Sequence, residues 1–274
     1  LAGHSPETLE TANSVLKRFD LALLPPPIPA PRWEATLLTS LQRVADESPA
    51  AAMALETAWI DLAAQQAGLP LAAFLSGEMA SGARVPVNVL VNSLDQESSL
   101  HRIKRALSAG ITTVKLKAAD IHNVQVTLDM IASIRREWGD AVSIRVDANG
   151  AWPLDLAMPV LKKLADWGVE YCEQPVPRGE LRMLSPSPVP LAADESLTDM
   201  KELEAFLGIP AKRINEFLRG LVTPEDVLKA APEGFSPPVK VFVLKPMVLG
   251  GILRSRKIAR IAAERGIRST VTHL

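Results

Sequence analysis

Cysteine is almost missing from this chain of 274 residues: Cys172 stands alone. An intrachain disulfide framework is therefore excluded, and a reducing compartment, the cytoplasm or a plastid, is the expected setting. An excess of charge of either sign is lacking too, with 30 Lys+Arg against 31 Asp+Glu and a net charge of -1. That balance gives no electrostatic reason to expect nucleic acid or an anionic membrane as partner. No segment carries the roughly 18 uninterrupted apolar residues of a membrane span. The richest candidate, V-F-V-L-K-P-M-V-L-G-G-I-L, is broken by Lys245, Pro246 and two glycines. Absent as well are low-complexity tracts, a G-x-G-x-x-G after the first strand and a phosphate-binding G-x-x-x-x-G-K-[ST]. The chain opens on Leu1 without a basic-then-apolar leader, as expected of a sequence whose own start is missing.

With 47% hydrophobic residues the chain can bury a substantial core, in one large or two smaller domains. Two regimes divide it. Residues 1–84 read as helical. Ser5-Pro6-Glu7 predicts a capped helix start, L-L-P-P-P-I-P-A-P-R-W a stiff extended connector, and Ser48-Pro49 a second helix closing near Gly68. From Val85 the rhythm becomes strand, helix, strand. V-P-V-N-V-L-V, T-T-V-K-L-K-A, S-I-R-V-D-A-N, V-E-Y-C-E-Q-P, V-P-L-A-A-D-E-S, V-K-V-F-V-L-K-P and S-T-V-T-H-L are the strands. This alternation predicts a parallel sheet, and the missing dinucleotide and phosphate loops favour a closed βα barrel over a doubly wound sheet.

The distribution of charge within those strands is the informative feature. Residues two apart in a strand share a face, so Lys115 and Lys117 point together, as do Arg145, Asp147 and Asn149. Later strands end in Glu173, Asp194 and Lys245. Side chains at the C-terminal ends of barrel strands converge on one mouth. Each piece has a plainer reading. K-x-K suits a solvated strand end, D-A-N-G a turn, and Asp194 or Glu195 a helix cap. Cys172 suits a small buried position facing away from Glu173, and His122 and His273 read as structural. Recurrence with one polarity at successive strand ends is what independent turns and caps do not explain. Three carboxylates without His or Cys make an oxygen-only site suited to Mg2+ or Mn2+. A lysine beside a second cation in a desolvated site has its pKa lowered, so Lys115 is expected to help make Lys117 a base. Metal and lysine together suit removal of a proton next to a carboxylate, the enediolate charge resting on oxygens the ion can hold.

K-L-K, V-D-A-N-G-A-W, C-E-Q-P, A-D-E-S and V-L-K-P-M-V-L-G-G together resemble the enolase superfamily, in its lysine-based, muconate lactonising enzyme-like branch. D-A-N-G-A-W and L-K-P-M-V-L-G-G look most like o-succinylbenzoate synthase. The resemblance implies an α/β fold, a (β/α) barrel over 85–274 lacking its last strand, and over 1–84 the helical part of an α+β capping domain, the chain truncated at both ends. It implies Asp147, Glu173 and Asp194 as ligands of Mg2+ (or Mn2+) and Lys117 as the catalytic base. Lys245 would stabilise the enediolate from the opposite side, and Lys115, Arg145 and Asn149 would support substrate or ligands. The reaction implied is dehydration of a succinyl-hydroxycyclohexadiene carboxylate to 2-succinylbenzoate, toward menaquinone or phylloquinone. The alternatives are an N-acylamino acid racemase or dipeptide epimerase, and a non-catalytic scaffold. The partner expected is a small carboxylate substrate. The segment 208–238, with an expected helix at T-P-E-D-V-L-K, carries no functional signal.

Overall fold

Thr8, rather than Ser5, opens the first helix of the computed structural model, which describes residues 7–28, 31–77, 84–92 and 95–272. α1 (Leu9–Arg18) begins where the Thr8 hydroxyl accepts the Thr11 N–H at 3.1 Å. Ser5 and Pro6 lie outside the described residues. Glu7 is engaged elsewhere, accepting from the Ser48 hydroxyl and, at 2.7 Å, from the Ala50 N–H. α2 (Trp33–Glu47) buries Leu37, Leu41 and Val44, a helical stripe. α3 (Pro49–Gln66) starts as the sequence predicts, with Ser48 as cap and Pro49 in the first turn. α4 (Leu71–Ser76) ends on Gly77, at φ 73°. The proline-rich connector is tied down where the Pro25 carbonyl accepts the Trp59 indole N–H at 2.7 Å, and the Trp59 ring stacks on Trp33 at 5.2 Å.

All seven expected strands form: β1 (Asn88–Asn92), β2 (Thr113–Lys117), β3 (Ser143–Asp147), β4 (Tyr171–Glu173), β5 (Leu191–Ala193), β6 (Val241–Leu244) and β7 (Arg268–Val271). β1 to β6 pair in chain order, each neighbour parallel. β7 follows β6, with the Thr272 N–H donating to the Leu244 carbonyl at 3.0 Å. α5 (Gln96–Ser108), α6 (Val124–Trp138) and α7 (Leu154–Asp166) connect successive strands from β1 to β4, a short helical turn (Leu181–Leu184) joins β4 to β5, and α8 (Met200–Leu207) follows β5. α9 (Ala211–Leu218) and α10 (Pro224–Leu228) fill the long segment before β6, and Thr223 with Asp226 forms a capping box on α10. α11 (Pro246–Leu249) and α12 (Ile252–Glu264) separate β6 from β7.

The chain folds as two compact units. The helical unit comprises Leu1–Arg84, Leu203–Phe235 and Leu244–Leu274; the strand unit comprises Val85–Glu202 and Ser236–Val243. The core of the helical unit gathers Leu37, Leu41, Trp59 and Ile60 with Leu253 of α12. In the strand unit, Tyr171, Ala192, Val241 and Val243 form one buried cluster. No helix among the described residues is long and apolar enough to cross a membrane.

Inside the helical unit an acid is buried. Glu56 of α3 is 1% exposed and accepts the N–H groups of Ile252 and Leu253, at the start of α12. Burial pushes its carboxyl up to about 7 from the ordinary 4.5, against those two N–H groups and the nearby Arg254 and Arg256. A carboxyl raised on folding contributes stability that is complete below its unfolded value and is lost as pH rises through the folded value. Stability is therefore expected to fall by about 3 kcal/mol between the unfolded and folded values. Urea denaturation across pH 4.5 to 7 measures this slope, which Glu56→Gln should flatten; a parent profile without it would mean the acid is already ionised in the fold.

Candidate active site

Parallel register sorts the strand-end residues into layers. Lys117 pairs with Asp147 and Asp147 with Glu173, so these three lie side by side on one level of the sheet. Lys115, Arg145 and Tyr171 form the level before it, two residues nearer the strand starts. Period-two alternation puts both levels on one face, while Val114, Leu116 and Val146 are fully buried on the other. Cys172, between Tyr171 and Glu173, is likewise buried, as the sequence predicts.

Lys115 reaches across levels to hold two acids. Its ammonium lies 2.8 Å from Asp147 Oδ2 and 2.7 Å from Glu173 Oε1, with 14% of the side chain exposed. Lys117 donates to Asp147 Oδ2 at 2.6 Å and to Asn149 Oδ1 at 2.8 Å, and its side chain is 38% exposed. Burial works to lower the Lys115 pKa, but the charges of Asp147 and Glu173 overcome it and hold the ammonium well above its usual value. Burial likewise opposes ionisation of Asp147, and the two lysines outweigh it, so that carboxyl titrates low. Glu173 goes the other way, up to about 8, through burial and the neighbouring Asp147 and Asp194 charges, against the pull of Lys115. The balance differs: at Asp147 two ammonium groups outweigh burial, whereas at Glu173 burial and the Asp147 and Asp194 charges outweigh Lys115. Lys115 is thus charge-paired with two acids of adjacent strands.

The turn reading of D-A-N-G also holds, alongside the site reading. Asp147 Oδ1 accepts the Asn149 N–H at 3.0 Å, and Asn149 and Gly150 take the left-handed conformation at φ 47° and 71°. One carboxylate oxygen thus shapes the turn while the other meets the lysines. The cap reading of Asp194 does not hold: it precedes a short helical turn, Glu195–Thr198, with no side-chain cap bond, and is 4% exposed. Asn149 Nδ2 donates to Glu195 Oε1 at 3.1 Å, so its amide joins Lys117 to a second acid. Arg145 is taken up by Glu170 at 2.8 Å, by Asn88 at 3.3 Å and by the Tyr171 ring at 5.0 Å. Lys245 follows β6 directly and stands immediately before α11, within the helical unit. His122 is exposed, its N–H on Asp120; His273 lies outside the described residues.

Two positioning residues escaped the sequence reading. Gln174 is buried at φ 37°; its Oε1 accepts the N–H groups of Asp194 and Ser196 at 3.2 and 3.3 Å, and its Nε2 donates to Ser196 Oγ at 3.0 Å. It straps the end of β4 to the end of β5. Trp152, 1% exposed, donates its indole N–H to the Ala118 carbonyl at 2.9 Å, directly after Lys117. A large polar-tipped side chain beside a strand-end motif was the available signal for both. A cavity of about 590 Å³ lies instead in the helical unit, lined by Trp33, Phe217, Arg256 and Lys257 among others and by none of these strand-end residues.

The family described as enolase C-terminal domain-like matches residues 99–214, which span β2 to β5 and hold Lys115, Lys117, Arg145, Asp147, Glu173 and Asp194. The chain has the α/β fold of muconate cycloisomerase-type structures of the enolase superfamily. It is 29% identical over 215 residues to the D-Ala-D/L-Ala epimerase of Cytophaga hutchinsonii, covering 74% of this chain and 54% of that one. With muconate cycloisomerase 1 of Pseudomonas putida the identity is 27% over 199 residues, 70% of this chain and 52% of the other. The chain thus spans about half the length of the curated relatives it matches. Among solved structures, a dipeptide epimerase from Methylococcus capsulatus, complexed with Mg and the dipeptide L-Arg-D-Lys, superposes with TM-score 0.73 at 24% identity, over 98% of this chain and 68% of that one.

The donor chemistry of the strand ends fits a hard divalent ion. Asp147, Glu173 and Asp194 are all-oxygen and buried, and Glu173 Oε2 is a buried atom without a hydrogen-bond partner. As placed, no three Asp, Glu, His or Cys side chains among the described residues are grouped closely enough to hold an ion by themselves, and Lys115 stands between two of the acids.

Trp152 gives a prediction independent of any ion. Trp152→Phe removes the donor to a buried carbonyl, so a loss of about 1–3 kcal/mol is expected in urea denaturation. A variant as stable as the parent would show that the Ala118 carbonyl needs no such partner.

Proposed function

We propose that this protein is a member of the enolase superfamily that moves a proton on and off the α-carbon of a dipeptide or N-acylated amino acid, inverting its configuration. The observation that carries this reading is the difference between the two lysines. Lys115 is wedged between Asp147 and Glu173, whereas Lys117 on the level above is more than twice as exposed. Lys117 is the amine an incoming substrate would meet. The curated epimerase relative supports the substrate class.

In this reading Lys117 removes the α-proton, with Asn149, itself held by Glu195, aiming the amine. Lys115 keeps the Asp147 and Glu173 carboxylates together. Lys245 is the second acid–base group in this reading, the role that the resemblance of its motif implies. Mg2+ or Mn2+ held by Asp147, Glu173 and Asp194 would supply positive charge to the substrate carboxylate as the α-proton leaves. Dehydration to 2-succinylbenzoate is the second reading, favoured by D-A-N-G-A-W and L-K-P-M-V-L-G-G, and it uses the same base. A scaffold without chemistry would have no need for Lys117 to stay accessible beside the buried Asp147.

Incubating the intact protein in D2O with separate dipeptides, N-succinyl amino acids and the cyclohexadiene precursor tests these readings. Deuterium is expected at the α-carbon of a dipeptide or acylated amino acid, with inversion. Lys117→Ala should slow it by about 10²–10⁴-fold, the usual contribution of a general base. Formation of 2-succinylbenzoate without α-exchange in any amino acid derivative would transfer the assignment to the dehydratase.

The ion is tested separately. Chelation should stop turnover and added Mg2+ restore it. Calorimetry should show weaker Mg2+ binding by Asp147→Asn, Glu173→Gln and Asp194→Asn. Parent affinity in all three variants would remove these acids as ligands.

A further inference from the structure

The turn after β6 is fastened from a distance. Lys245 precedes a single helical turn, α11, whose backbone closes on itself: the Leu249 N–H donates to the Lys245 carbonyl at 2.9 Å and the Gly251 N–H to the Pro246 carbonyl at 2.8 Å. Helix α12 begins immediately afterwards, and its cap position is Gly251, which has no side chain to offer. Helix starts are usually capped locally by Ser, Thr, Asp or Asn. Here the cap comes from Glu56 on α3, which accepts the Ile252 and Leu253 N–H groups. Gly251 has φ 135°, and a Cβ added there would lie 2.6 Å from both Glu56 carboxylate oxygens. The second glycine of L-K-P-M-V-L-G-G therefore makes room for Glu56. Burying a carboxylate is costly, and a local cap would satisfy the helix without it. What the distant acid adds is a fixed tie between α3 and the segment carrying Lys245.

We propose that Glu56 is a positioning residue for Lys245, anchoring the Lys245–Gly251 turn so that this lysine serves one face of the substrate. The proposal rests on the reading of Lys245 as the second acid–base group. Loss of the anchor displaces one of two bases, so it affects the two substrate epimers unequally. A defect in folding would slow both epimers, and a defect in Lys117 would slow the other one.

The test uses the intact protein, Glu56→Ala and Glu56→Gln, with the two epimers of one dipeptide supplied separately in D2O. Glu56→Ala is expected to slow α-exchange by about 10- to 100-fold for one epimer, as for a misplaced catalytic group. That epimer should be the one slowed by Lys245→Ala, and exchange of the other should stay within about twofold, since Lys117 is untouched. Glu56→Gln, which keeps a carbonyl acceptor, should restore most of the loss. Equal slowing of both epimers, or of neither, would overturn the proposal. Should Glu56→Ala not fold, Glu56→Asp withdraws the oxygens by one methylene and is expected to show the same selectivity. Amide hydrogen exchange of residues 246–253, followed by mass spectrometry, reads the anchor without any turnover. Faster exchange in Glu56→Ala than in the parent supports the tie, and unchanged exchange refutes it. If the parent exchanges neither epimer, the epimerase reading fails by itself, and the amide measurement still decides whether Glu56 anchors the turn.

Discussion

A buried ammonium between two buried carboxylates organises the strand unit. Lys115 lies within hydrogen-bond distance of both Asp147 and Glu173, each 1% exposed, and the three belong to three adjacent strands. Removing either sign alone would leave an uncompensated charge in a low-dielectric interior, a far larger penalty than any single surface pair supplies. The parallel register then does the placing. Lys117, Asp147 and Glu173 are Cα partners across β2, β3 and β4, so a slip of one residue in any strand would turn its charged group to the apolar side.

Around this centre each acid has a different companion, and the companions explain the opposite electrostatics. Asp147 faces two ammonium groups and also closes the Asn149 turn. Glu173 faces one and keeps an oxygen without a partner. Asp194 is set by Gln174, whose amide binds the backbone on either side of Glu195. An excess of buried negative charge at strand ends, with a donor set made only of oxygen, is the arrangement expected where a divalent ion and a substrate carboxylate meet.

The helical unit solves a related problem with a single acid. Glu56 replaces a local cap on α12, and Gly251 is the space it occupies. The trade is between the desolvation of a carboxylate and a long-range tie from α3 to the turn after Lys245. Nothing comparable holds the start of α10, where Thr223 and Asp226 form an exposed capping box from adjacent residues. The contrast separates a helix that needs only its own end satisfied from one whose end is tied to another element.

Strand order, the period of each strand and the identity of the charged strand-end residues were all legible in the sequence. Each depends on neighbours one or two positions away: alternation put Lys115 with Lys117 and Arg145 with Asp147, and Ser48-Pro49 marked the start of α3. Local signals misled where a better partner lay far off. Ser5-Pro6 resembled a helix start, yet Thr8 caps α1 while Glu7 binds the start of α3. The division of the two lysines into a wedged and an accessible one, the occupation of Arg145 by Glu170, the strap made by Gln174 and the cap supplied by Glu56 belong to the tertiary structure alone. The reason is physical: a side chain's periodicity is written in its own strand or helix, but its charge and hydrogen bonds are met by groups tens to hundreds of residues away, which only folding brings within 3 Å.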